Sequence, residues 1–64
     1  MDEMNDNGSL ELILLVEDKL RERRALALFL ADEGYSVLEA ETLAEAGRLL
    51  DQRAAEISLV VLDV

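Results

Sequence analysis

A continuous apolar run near the start of the chain constrains the fold more than any other feature of the sequence. Residues 12–16 read LILLV, with no polar side chain to face solvent on either side. This length suits a strand and is far too short to cross a membrane. Continuous rather than alternating apolar strands are typical of parallel sheets whose two faces are both covered by helices. The sequence therefore predicts a first strand that is buried on both faces.

A helical pattern follows this run. From Lys19 to Glu33 the chain is rich in strong helix formers, and Leu26, Phe29 and Leu30 recur at the spacing of one helix face. We expect this face to pack on the sheet. Gly34 predicts the end of the helix, because glycine readily adopts the left-handed conformation that commonly closes one.

The strand and helix patterns then repeat. Residues 35–39 are short, partly alternating and β-favouring, which predicts a second strand. Thr42 and Glu45 form a capping-box signature for a second helix that runs to about Arg53. A third apolar run, residues 58–62, predicts a third strand. The order βαβαβ requires right-handed crossovers and parallel pairing, so the predicted fold is an open α/β sheet with helices packed on it.

The amino-acid composition excludes several classes of function. The 64 residues include no cysteine and no histidine, which removes disulfides, thiolate or imidazole metal sites and every mechanism that pairs a nucleophile with histidine. The net charge of −9, without a basic cluster flanked by aromatic residues, argues against nucleic-acid binding. Metal ions bound by oxygen ligands and basic protein partners are therefore the expected ligands.

The first nine residues differ in character from the rest. Residues 1–9, MDEMNDNGS, are polar and acidic and lack periodicity, so we interpret them as a flexible leader before a domain that spans residues 10–64. The amino terminus lacks the basic segment and apolar run of a secretory signal. A cytoplasmic protein without membrane association is therefore expected.

Acidic residues stand at the ends of two predicted strands. Glu17 and Asp18 follow the first strand, and Asp63 follows the third. Ligand sites in open parallel sheets lie beyond the carboxyl ends of the strands, so these carboxylates converge if the third strand neighbours the first on the side opposite the second. Taken singly, each is more often a helix cap or turn residue. Together they favour a site for Mg²⁺, which takes oxygen ligands and leaves positions for phosphate oxygens.

Basic residues cluster at the start of the first predicted helix. Lys19, Arg21, Arg23 and Arg24 are interspersed with Glu22. A phosphate or nucleic-acid site is one interpretation of this cluster. We favour a solvated helix face, because charges of both signs along one face are typical of an exposed surface.

These features together resemble a known family. The stretch ILLVEDKLRERRALALFLADEGYSVLEAETLAEAGRLL, followed by SLVVLDV, closely resembles the first half of the receiver domains of two-component response regulators. The resemblance covers residues 12–64. It is carried by the apolar strand that ends in an acidic pair, the leucine-rich helix that closes with Gly34 and Tyr35, the EA ending of the second strand and the apolar strand that ends in Asp63.

The resemblance implies a fold and a role for each acidic residue. The fold would be a flavodoxin-like half-domain with parallel strands in the order 2-1-3. Asp63 would accept a phosphoryl group from a histidine kinase or a phosphotransfer protein. Asp18 and Asp63 would coordinate Mg²⁺ directly, and Glu17, where many relatives have aspartate, would help through a water molecule.

Other functional positions of the family fall beyond residue 64. They are a backbone carbonyl two residues past the acceptor, a hydroxyl residue after the fourth strand and a lysine after the fifth. We therefore interpret the chain as the amino-terminal half of a receiver domain that is not an enzyme, and expect no efficient phosphorylation by acetyl phosphate. The third strand would then be an apolar edge, so a homodimer or a strand-exchanged oligomer is expected.

Two alternatives remain. The segment LVVLD has the shape of the Mg²⁺-binding strand of P-loop ATPases, but the sequence contains no GxxxxGK[ST] loop, which that class requires. The chain could also be a structural or interaction module that has the half-domain without phosphotransfer. Affinity for Mg²⁺ separates that module from a working phosphoacceptor site.

Overall fold

The structure, a computed structural model, describes residues 11–63, so the predicted leader over residues 1–9 lies outside the described part of the chain. Three strands alternate with two helices in the predicted order. They are β1 (Leu12–Val16), α1 (Leu20–Asp32), β2 (Ser36–Ala40), α2 (Leu43–Arg53) and β3 (Ile57–Leu62). Neither helix is long and apolar enough to span a bilayer in residues 11–63.

The three strands form one parallel sheet in the order β2-β1-β3. The predicted α/β fold, with parallel strands ordered 2-1-3, is therefore confirmed. The bounds of β2 and β3 differ from the prediction by a residue: β2 starts at Ser36 rather than Tyr35, and β3 starts at Ile57. The register of β3 against β1 shifts by one residue at Ser58, which has no partner in β1.

The two helices cover opposite faces of the sheet. Leu14 and Val16 of β1, together with Ala40 of β2, pack in one cluster with Ala46 of α2. Arg23 of α1 instead contacts the side chain next to Ala40 in β2, which points to the other face because side chains alternate along a strand. The strand β1 is thus enclosed on both faces and both edges, and residues 13–16 are at most 3% exposed. The predicted burial of β1 is confirmed.

The carboxyl end of α1 is closed as the glycine predicts. Gly34 has a φ of 100°, in the left-handed region where a side chain would be strained. Its N–H donates to the carbonyl oxygen of Ala31 over 3.0 Å, and the N–H of Tyr35 donates to the carbonyl oxygen of Leu30 over 3.1 Å. These two bonds form a Schellman motif, which turns the chain directly into β2.

The sheet-facing side of α1 differs from the prediction at Phe29. Leu26, Ala27 and Leu30 are buried or half-buried, whereas Phe29 is 60% exposed. The prediction that Phe29 packs on the sheet is therefore wrong. Ala27 is the one buried residue of α1, and Phe29 lies on an exposed flank of the helix.

The start of α2 shows the predicted cap. The N–H of Glu45 donates to Thr42 Oγ1 over 3.1 Å. In return, Glu45 Oε1 accepts a hydrogen bond of 2.9 Å from the N–H of Glu41, one residue before the cap. Two of the N–H groups at this helix start are thereby satisfied.

Candidate functional site

The carboxyl ends of β1 and β3 lie side by side. Val16 is in register with Leu62, so Glu17 and Asp63 follow paired residues. The ladder continues one step past the strands, because the N–H of Asp63 donates to the carbonyl oxygen of Val16 over 2.9 Å. On the other side of β1, the N–H of Glu17 donates to the carbonyl oxygen of Ala40 over 3.1 Å. The backbone at both acidic strand ends is therefore fixed by the sheet.

Glu17 is the one buried charged side chain among the described residues, with 3% of its surface exposed. Its Oε2 accepts a hydrogen bond of 2.8 Å from the backbone N–H of Lys19. Lys19 is the N-cap of α1, and its own side chain makes no capping hydrogen bond. Glu17 therefore satisfies the N–H of the N-cap residue itself, one of the backbone donors at the start of α1. Glu17 thus has a structural role at a helix start, as acidic residues there commonly do.

The carboxyl group of Glu17 is also affected by the other two acidic residues, Asp18 and Asp63, which act on its pKa. The N–H of Lys19 lowers the pKa of Glu17, but burial, the Asp18 and Asp63 carboxyls and the negative charge of Asp63 together raise that pKa above its ordinary value of 4.5. Burial and the two acidic neighbours therefore disfavour the ionised form of Glu17.

The structure thus places the three predicted site residues at the adjacent carboxyl ends of β1 and β3. Asp18 and Asp63 are exposed, whereas Glu17 is buried. Within residues 11–63, no three or more His, Cys, Asp or Glu side chains are arranged so that they could hold a metal ion. A preassembled three-ligand metal site is therefore not formed, and the assignment of Glu17, Asp18 and Asp63 as metal ligands stays a prediction.

Sequence reasoning missed Arg23 at this site. The side chain of Arg23 is only 13% exposed, so the interpretation of the basic cluster as a solvated face is wrong for this residue. Arg24, at 67%, does face solvent. Arg23 lies three, four and seven residues before Leu26, Ala27 and Leu30, and therefore shares the stripe that meets the sheet. That spacing is the signal that could have identified it.

A polar cavity opens beside Arg23, with a volume of about 480 Å³. Its charged lining contains two arginines and three glutamates: Arg23, Arg24, Glu39, Glu41 and Glu45. Both arginines contact the carboxylate of Glu39. With acidic residues in excess and both cations already paired, this cavity is not built for a phosphate group.

Comparison of the chain with protein-family models, with curated proteins and with solved structures gave no match.

Proposed function

We propose that this chain carries the phosphoacceptor site of a receiver domain, in which Asp63 accepts a phosphoryl group from a histidine kinase or a phosphotransfer protein. The observation that carries the proposal is that Glu17 and Asp63 follow paired residues at the adjacent carboxyl ends of β1 and β3, with Asp18 next to Glu17. This place, beyond the carboxyl ends of neighbouring parallel strands, is where open α/β sheets bind ligands. A histidine kinase as partner implies a cytoplasmic location.

The donor set suits a hard divalent cation. All the side-chain ligands are carboxylate oxygens, and Mg²⁺ is usually held by one or two carboxylates while it keeps several waters. The exposed groups of Asp18 and Asp63 would supply the direct ligands. Glu17 would act through a water, because its Oε2 already accepts from Lys19. Two direct ligands and water molecules do not require a preassembled three-ligand group.

A bound cation would supply charge neutralisation for the incoming phosphoryl oxygens. The residues of this chain would hold Asp63 in position and leave it accessible. The sheet hydrogen bond to Val16 fixes the backbone of Asp63, and the exposed carboxylate of Asp63 faces solvent, where a phosphodonor can approach it. Such positioning accounts for much of the catalysis of phosphoryl transfer.

Binding of Mn²⁺, a paramagnetic substitute for Mg²⁺, tests the proposal. In NMR spectra of the 64-residue chain, Mn²⁺ should broaden the amide signals of Glu17, Asp18 and Asp63 before all others, and excess Mg²⁺ should reverse the broadening. D18N and D63N should each abolish this local effect. D51N is the matched control, because Asp51 is an exposed carboxylate of α2 away from the strand ends.

Broadening that D63N leaves unchanged would contradict a metal-assisted acceptor role for Asp63. Uniform broadening along the acidic surface, with D51N as effective as D63N, would contradict it as well.

A protein-interaction module without phosphotransfer is the second candidate, and the surface of β3 favours it. Leu59 and Leu62 are 55% and 60% exposed, and β3 contains no charged residue. The strand therefore presents an apolar surface to solvent. The two candidates differ in cation affinity. A chain that associates through β3 and binds no Mn²⁺ at the strand ends would be such a module.

A further inference from the structure

The guanidinium group of Arg23 lies between β2 and the acidic loop, which we define as residues 17–19. Its Nε donates to Glu39 Oε1 over 3.0 Å, and its Nη1 donates to the backbone carbonyl oxygen of Glu17 over 3.0 Å. One side chain of α1 therefore joins the edge strand to the loop that carries two of the three carboxylates.

The carbonyl that Arg23 binds belongs to the peptide between Glu17 and Asp18. A peptide unit is planar, so the direction of this carbonyl also sets the direction in which the chain enters Asp18. The preceding peptide is fixed separately, because the N–H of Glu17 donates to Ala40 in β2. Rotation of the Glu17–Asp18 peptide would break a charge-assisted hydrogen bond, which is stronger than a bond between neutral groups. Arg23 thus fixes the orientation of the acidic loop.

We propose that Arg23 is a positioning residue of the acidic site, and that it orients Asp18 and Glu17 toward Asp63 by holding the Glu17 carbonyl. The inference rests on the proposed cation-binding function of that site. Arg23 acts through the peptide backbone and contacts neither the cation nor the phosphoryl group.

A purely structural role for Arg23 predicts something different. The ion pair with Glu39 ties α1 to β2, and its loss would loosen the whole domain rather than the loop alone. Arg24 separates the two roles. It has the same charge and contacts the same Glu39 oxygen at 3.6 Å, but it is mostly exposed, and it is Arg23 that donates to the Glu17 carbonyl.

The Mn²⁺ affinities of R23Q, R24Q and E39Q test the proposal. Loss of a positive charge near a cation site should by itself strengthen cation binding. R24Q should therefore bind Mn²⁺ at least as tightly as the unaltered chain. R23Q should bind it roughly 10-fold more weakly, the loss typical when a partner that orients a metal ligand is removed. E39Q keeps the bond to the Glu17 carbonyl and should retain most of the affinity.

Equal affinities for R23Q and R24Q would overturn the proposal, and so would an E39Q that loses as much affinity as R23Q. If R23Q does not fold, R23K replaces it. An ammonium group cannot reproduce the fork that reaches both Glu39 and the carbonyl, so R23K should bind Mn²⁺ more weakly than R24Q. Equal Mn²⁺ affinities for R23K and R24Q would contradict the positioning role of Arg23.

A second readout keeps this inference separate from the proposed function. If the unaltered chain binds no Mn²⁺, the proposed function fails, and the carbonyl ¹³C chemical shift of Glu17 then decides the role of Arg23. A change of that shift in R23Q but not in R24Q supports the positioning role. An unchanged shift in R23Q overturns it.

Discussion

The neighbouring strands β1 and β3 have similar apolar sequences, yet one is buried and the other is exposed. Leu14 and Val16 of β1 are 0% exposed, whereas their register partners in β3, Val60 and Leu62, are 37% and 60% exposed. β1 has a strand on each side and a helix on each face. In residues 11–63, β3 has only β1 beside it, and neither helix packs closely on it. The apolar character of a strand shows what it can bury, and its neighbours decide whether it does.

The acidic residues that follow these two strands differ in the same way. Glu17 lies at the end of β1 and is buried, whereas Asp63 lies at the end of β3 and is exposed. The Oε2 of Glu17 accepts a hydrogen bond from the Lys19 N–H at the start of α1, which lowers the pKa of Glu17, while burial and the acidic neighbours raise it. Exposure leaves Asp63 accessible to a reactant. An accessible carboxylate at the end of β3 is compatible with the proposed phosphoacceptor role of Asp63.

The largest expected effect comes from replacing one leucine by alanine in each of the two strands. L14A should destabilise the fold by about 2–5 kcal/mol, because it leaves a cavity at a fully buried position. In so small a domain this loss is comparable with the whole free energy of unfolding. L62A should change stability by less than about 0.5 kcal/mol in the monomer, since surface substitutions seldom exceed that. Urea unfolding at low protein concentration compares them, and similar losses would show that β3 is covered in solution.

The alternation of patterns made the fold predictable from sequence. The apolar runs, the capping box of Thr42 and Glu45 and the stop at Gly34 all act through neighbouring residues, so each prediction needed only a short window of sequence. The adjacency of the strand ends that Glu17 and Asp63 follow was predictable from the expected strand order 2-1-3.

Features that depend on tertiary neighbours were not predictable in this way. Whether Phe29 or Ala27 faces the sheet depends on how closely α1 approaches it, and both fit a helical stripe. In the sequence, Arg23 belongs to a basic cluster and nothing nearby marks its partner, because Glu39 lies sixteen residues away. The exposure of β3 likewise depends on which elements surround it, and its apolar sequence does not contain that information.

The next effect concerns the exposed surface of β3. At about 25 cal/mol per Å², covering several hundred Å² of apolar surface contributes several kcal/mol, so association should be coupled to folding. We expect a dimer or larger species whose Tm rises with protein concentration. Sedimentation equilibrium at low micromolar concentration measures the mass directly.

A matched pair of variants locates this interface. L59K places a charge on β3 and should abolish association, because lysine on an edge strand opposes pairing with another strand. L28K makes the same substitution on the outer side of α1, where Leu28 is 72% exposed, and should leave association unchanged. A compact monomer whose Tm does not depend on concentration would contradict self-association through β3.

The smallest expected effect is the pH dependence of stability that Glu17, at the end of β1, causes. The pKa of Glu17 is raised in the folded chain, so the stability that this carboxyl contributes is fully present below its ordinary pKa of 4.5 and is lost as pH rises through the folded value. E17Q keeps an oxygen for the Lys19 N–H and removes this loss. The unaltered chain should therefore lose stability relative to E17Q as pH rises from 4.5 toward neutrality.

The control for this pH effect is D51N, which removes one charge from the same acidic chain at an exposed position. It corrects for the general repulsion that a net charge of −9 creates as carboxyls ionise. D63N should reduce the difference between the unaltered chain and E17Q, because Asp63 is one of the groups that raise the pKa of Glu17. Mg²⁺ should reduce it too if the cation binds there, since a positive charge favours the ionised carboxylate. If the free energies of unfolding of E17Q and D51N changed with pH in parallel, Glu17 would ionise in the fold as freely as an exposed carboxyl does. The two strand ends would then differ in burial alone.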